Sequence, residues 1–178
     1  METVYLVFSV LAAFLLYLLF TYNSFVRLRN QVFNSFSGID VQLKKRNDVL
    51  PNLVTIVQSY AKHEQSLFQS IAKTRSEVYS CLEKKDISTL SSQDMALSKH
   101  VTSLFAVAEG YPELQASQQF LSLQKQLVHL ENQIAASRRI YNSNVTLFNS
   151  QLQIFPNNVL NKLFGFQEQN LYVLEDQS

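Results

Sequence analysis

The side chains that could do chemistry in this chain are few and widely spaced. Asp40, Arg46, Glu64, Glu131, Asn132, Arg138, Arg139 and Asn142 are set within long amphipathic patterns. In such places a polar group either reaches solvent from the edge of an apolar stripe or meets a partner from another helix and fixes its register. Glu131, Arg138 and Asn142 lie within a turn or two of one another along related helix faces. Their spacing suits pairing across a bundle with Asp40, Arg46 or Glu64, or a polar docking surface for another protein. A catalytic site built from Glu64, Glu131 and Arg138 is the enzymatic alternative, and no recognised constellation supports it. His63-Glu64 opens like an HExxH zinc motif, but Leu67 stands where the second histidine is required. His100 and His129 are isolated on helical patterns, so no metal is expected. Three well-separated glycines cannot form a phosphate-cradling loop, and no GxSxG or Cys/His pair is present, so neither a cofactor nor a catalytic residue is expected. The single cysteine, Cys81, reads as a small, half-apolar packing residue.

The elements that must position these groups are helices. The 178 residues include only 3 Gly and 3 Pro, too few for a turn-rich β fold. A net charge of +1, with both signs mixed along the chain, leaves no footprint for nucleic acid. From Phe25 apolar residues recur in steps of three and four through Leu43, Leu50, Leu53, Val57, Ile71, Val78 and Leu82, which predicts one long helix. Polar Ser35, Arg46 and Glu64 interrupt that stripe. Pro51 lies within it, and because the seam keeps its phase from Leu43 to Val57 the helix is expected to pass through the proline with a kink. Asp86 or Ser88 caps a second helix ending near Glu109, Gly110 suits a left-handed cap, and Pro112 suits the first turn of a third helix. The third helix carries Phe120, Leu123, Leu127, Leu130, Ile134, Tyr141, Val145, Phe148, Leu152 and Phe155 on its inner face and ends before Pro156. A short apolar module follows, Val159 to Phe166, and then an acidic tail expected to be loose. The fold class is therefore all-α: an N-terminal transmembrane helix within residues 1–22, an elongated antiparallel helical bundle over 23–166, and a tail over 167–178.

Residues 4–22 are the expected contact with a lipid bilayer. Val4 to Phe20 carries no charge and, at about 1.5 Å per residue, spans about 26 Å. Glu2 ahead of the run and bulky residues closing it argue against cleavage as a signal peptide. Arg27 and Arg29 follow the run, with Lys44, Lys45 and Arg46 further on, so the charge rule places the N-terminus outside and the bundle in the cytoplasm.

Several separated blocks carry a family resemblance: Tyr22-Asn23, Arg29-Asn30, Asp40 to Arg46, Pro51-Asn52-Leu53, Tyr60, Glu64, Glu131-Asn132, Arg138-Arg139, Tyr141-Asn142, Phe155-Pro156 and Phe164-Gly165-Phe166. In this order, over nearly the whole chain, they resemble the LemA family of bacterial membrane proteins. The family usually has Trp near Phe36-Ser37 and a tail richer in Lys and Pro. The resemblance implies a short external N-terminus, one membrane helix and a long antiparallel bundle at the bacterial inner membrane. It supplies no reaction. Family members are associated with envelope stress and membrane zinc metalloproteases, which makes a membrane metalloprotease a candidate partner. The resulting expectation is a scaffold or interaction protein, with self-association and bilayer shaping by an oligomer as alternatives.

Overall fold

The amphipathic stripes become six α-helices in a computed structural model that describes residues 1–172: α1 (Glu2–Tyr60), α2 (Gln65–Lys84), α3 (Ile87–Glu109), α4 (Pro112–Gln115), α5 (Gln118–Gln153) and α6 (Asn157–Phe164). The described residues are all-α. Helix α1 runs unbroken through Pro51, as the seam phase predicts. Its first third stands largely clear of the other helices: no residue of the window long and apolar enough to cross a membrane is buried by the rest of the chain.

The single long helix expected from Phe25 to Leu82 is two. Ala61 leaves the helical region, with φ −103° and ψ 63°, although its N–H still bonds the Val57 carbonyl. The chain reverses at Lys62–Glu64, and α2 returns along α1. Neither Gly nor Pro marks the reversal, and the apolar phase survives it. Tertiary packing supplies the reason, since a straight continuation would carry Phe68, Ile71 and Val78 up to about 27 Å beyond Tyr60, past the start of α5, with nothing to cover them. Folded back, all three are buried.

The junction at Lys85 and Asp86 forms as expected. Lys85 takes a left-handed conformation, and the Asp86 carboxylate accepts from the Thr89 N–H at 3.1 Å. Gly110 differs from the expectation, being right-handed at φ −74°. Pro112 forces the preceding Tyr111 out of the helical region, to φ −126° and ψ 89°, so α3 ends at Glu109 with Gly110 still right-handed and no left-handed cap. Pro112 opens the short α4, and Ser117 then caps α5 through Phe120 N–H. Helix α5 ends at Gln153, so Phe155, expected on its inner face, stands exposed in the turn that follows.

Helices α1 and α5 pair antiparallel along a constant register. Arg46 bonds Glu131, and ten residues away on each helix (46 to 36, 131 to 141) Phe36 meets Tyr141 edge-on at 6.0 Å. The α2–α3 hairpin covers the distal half of this pair, the half away from the N-terminal apolar run. Because each of its helices is about 30–35 Å long, it cannot also reach the proximal half. Two helices alone enclose no core. The third side is supplied by α6 and the segment after it.

This strap, Phe166 to Tyr172, is held by a ladder of asparagines. Asn161, Asn149 and Asn142 each exchange two hydrogen bonds with strap backbone. Asn161 bonds Phe166 N–H and C=O, both at 3.0 Å. Asn149 bonds Gln169 N–H and C=O, both at 2.9 Å, and Asn142 bonds Tyr172 N–H and C=O, both at 2.8 Å. The spacing follows from backbone geometry. The seven residues from Asn142 to Asn149 rise about 10.5 Å on a helix, and the three from Gln169 to Tyr172 span about 10 Å when extended. Tyr172 is buried and Phe166 packs on Tyr22, Phe25 and Phe148. The acidic tail expected to be loose is thus pinned through Tyr172, because its backbone donors and acceptors find side-chain amides; residues 173–178 lie outside the described residues. Asn149→Ala is expected to weaken the strap by about 1–3 kcal/mol, read as faster amide exchange at Gln169 with exchange in the α2–α3 hairpin unchanged. Unchanged exchange at Gln169 would show that the ladder does not hold the strap.

Candidate functional site

Where the hairpin meets the α1–α5 pair, the apolar seam gives way to ions. Arg46 takes a seam position on α1 between Leu43 and Leu50 and is fully buried. Its Nη2 donates to Asp94 Oδ1 of α3 at 2.6 Å, and its Nη1 donates to Glu131 Oε1 of α5 at 3.0 Å and to Ser98 Oγ at 3.1 Å. Ser98 Oγ donates in turn to Glu131 Oε2 at 3.0 Å. The other oxygen of Asp94 accepts from Arg138 Nε at 3.0 Å, from Arg138 Nη2 and from the Tyr172 hydroxyl. The Arg138 guanidinium also lies over the Tyr172 ring, 5.5 Å from its centroid. Two guanidinium groups face two carboxylates, so the cluster is neutral as a whole. It joins α1, α3, α5 and the strap at one point.

The electrostatics follow from burial and pairing. Desolvation alone would lower the Arg46 pKa, but attraction to Asp94 and Glu131 and the hydrogen bonds to both outweigh it, and the net direction is upward. Burial, and then the neighbouring Asp94 carboxylate, push the Tyr172 phenol strongly up. Burial alone pushes Tyr141 up to about 12. Cys81, buried on α2, has its thiol pushed up by desolvation, which disfavours the thiolate that reactive cysteines need.

The candidate residues separate into groups. Arg46, Glu131 and Arg138 meet in the cluster, and Asn142 adjoins it by clasping Tyr172. Asp40 instead pairs with Lys44 on its own helix at 2.9 Å. Asn132 and Arg139 are exposed on α5, and Pro51 is half-buried in α1. Glu64 stands at the N-cap of α2, beyond Tyr60 and so more than about 20 Å along the bundle from Arg46. The trio of Glu64, Glu131 and Arg138 is therefore not assembled, because the reversal at residues 61–64 carries Glu64 to the far end. Among the described residues no group of three His, Cys, Asp or Glu side chains could hold a metal.

The centre of the cluster, Asp94, was not among the residues singled out from sequence, nor were Ser98 and Tyr172. A signal existed for Asp94: Leu90, Leu97, Val101 and Leu104 mark the inner face of α3, and Asp94 fills the slot between Leu90 and Leu97. Tyr172 carried none, because its burial depends on the asparagine ladder.

Asp94→Asn keeps shape but leaves two arginines facing one carboxylate. It is expected to destabilise the bundle by about 3–5 kcal/mol in urea unfolding, whereas Asp40→Asn at the exposed pair leaves the midpoint unchanged. The tyrosines add a pH dependence. Their folded pKa values are raised, so their contribution is complete below the ordinary tyrosine value near 10 and is lost as pH rises from there through the folded values. Unfolding free energy is expected to fall from about pH 10 to 12, less steeply in Tyr172→Phe, as urea titrations across that range would show.

Comparison with known proteins finds relatives of the whole bundle by sequence. The chain is 28% identical over 187 residues to magnetosome protein MamQ 2 of Paramagnetospirillum magneticum, covering 91% of this chain and 69% of that protein. MamQ of Magnetospirillum gryphiswaldense is 24% identical over 180 residues, covering 88% and 66%. Protein LemA of Metamycoplasma hominis is 28% identical over 137 residues, covering 76% of this chain and 61% of its own length. The LemA family model matches residues 35–178, which contain the whole ion cluster and all three clasping asparagines, and the chain belongs to the LemA family.

Proposed function

We propose that this protein is a membrane-anchored interaction scaffold of the bacterial inner membrane, with residues 4–22 in the bilayer and the bundle in the cytoplasm. The outward face of α5 carries this reading. Leu121, Val128, Ile140 and Leu147 are exposed there, and at 100° per residue they fall with Asn132 and Arg139 on one arc of about 120°, opposite the buried seam. A mixed row of apolar and polar groups on a rigid helix suits a helical protein partner. The buried cluster supports the same reading, since its charges are spent on one another and it is built to hold α5 in place. Arg27 and Arg29, just past the apolar run, support the orientation. A membrane metalloprotease is the first partner to seek.

A photoreactive residue at Arg139, on this row, and one at Lys45, exposed on α1, test the proposal in intact cells. A defined adduct from Arg139, with the bundle resistant to protease added outside, is the expected result. No specific adduct at either position, with this chain or another, would overturn the scaffold reading, and external digestion of the bundle would overturn the orientation.

A further inference from the structure

We propose that the turn and helix at the membrane-proximal end, Ile154 to Phe164, form a second lipid contact that lies in the bilayer interface beside the span. The proposal rests on reading residues 4–22 as that span. Helix α6 presents three arcs at 100° per residue. Leu160 and Phe164 face the protein: Leu160 is buried and Phe164 meets Tyr22 edge-on at 5.3 Å and Phe25 at 6.2 Å. Val159 and Leu163 extend the apolar arc outward and are exposed, Leu163 at 78%. Asn158 and Lys162 form the polar arc. The preceding turn adds exposed Ile154 and Phe155, the latter 77% exposed. A bundle that buries its own seams this completely leaves these four large apolar groups together at one end.

Their position identifies the occupant. The Tyr17 hydroxyl lies 3.5 Å from Asn157 Oδ1, so the start of α6 stands level with the inside of the apolar run. Tyr22 meets Phe164 five residues later, about 7.5 Å along α1. The helix therefore covers the last turn and a half of the span, a depth that matches the 5–10 Å to which interfacial amphipathic helices sink. The exposed side chains of α6 and its turn stand beside the last turns of the apolar run, whose Leu16, Leu19 and Phe20 are exposed on the other side of α1, so a bilayer surrounding the run meets both. Tyr22, at the end of the run, sits where aromatic side chains favour the headgroup level, and Lys162 can extend toward lipid phosphates. Acyl chains and headgroups of the same bilayer fit this surface, and a protein covering it would have to enter the membrane edge.

The chain has no tryptophan, so a single introduced indole reports alone. Leu163→Trp, Phe155→Trp, Leu11→Trp in the span and Leu121→Trp at the far end would be compared in the full chain. Each is reconstituted into phosphatidylcholine–phosphatidylglycerol vesicles with brominated acyl chains. Blue-shifted emission and quenching of at least about twofold at positions 163, 155 and 11, with position 121 unquenched, is the expected result. Quenching at position 11 with water-like emission at 163 and 155 would overturn the interfacial contact and leave the span standing. Blue-shifted but unquenched emission at 163 and 155 would assign the surface to protein, such as a second copy, and overturn it equally. Absence of quenching at position 11 would overturn the span and the proposal together.

Discussion

Asp94 shares its two oxygens between Arg46 and Arg138, and the rest of the bundle depends on that sharing. A buried guanidinium is costly to desolvate, and a buried carboxylate equally so. Neither is tolerable unless the other is present with its hydrogen bonds made. Arg46 needs carboxylates from α3 and α5 together, so the α2–α3 hairpin can dock in one register only. Apolar seams by themselves permit slippage by a turn at the loss of a few contacts; this cluster does not, because a slip would strand charge in the core. The Tyr172 hydroxyl adds a fourth element to the same oxygen and couples the C-terminal strap to the hairpin.

The two halves of the long α1–α5 pair solve the same burial problem differently. The distal half becomes a bundle because the hairpin supplies two more apolar faces. The proximal half has no further helix and is closed by an extended segment, which buries backbone polar groups unless something pairs with them. Asparagine is suited to that task, since its amide presents a donor and an acceptor in the geometry of a peptide group. Three of them, on α5 and α6, let a strap without secondary structure of its own lie against the helices.

Those choices have consequences for function. A cluster whose charges are mutually satisfied offers little to a substrate, and the side chains first grouped as a docking or catalytic set divide accordingly. Arg46, Glu131 and Arg138 face inward, whereas Asn132 and Arg139 face solvent beside exposed apolar residues. Exposed apolar surface outside the N-terminal run is thus concentrated in two places, the outward row of α5 and the tip at residues 154–163. The first is proposed to meet a protein and the second a lipid surface.

The one-dimensional pattern by itself determined the all-α class, the apolar run, the helical passage through Pro51, a cap at Asp86 or Ser88 and most of the inner faces of α3 and α5. Each of these depends on residues within a few turns of one another, where periodicity and capping chemistry act. It also marked Arg46 as a polar group in an apolar seam. The reversal at Ala61–Glu64, the central place of Asp94 and the burial of Tyr172 were decided by tertiary structure. Helical phase is preserved across a four-residue reversal, so the pattern carries no trace of it. An ion becomes central only when partners distant in the chain arrive at the same point. A tail of polar residues becomes ordered only because asparagines spaced one heptad apart on a helix match backbone groups three residues apart on an extended chain.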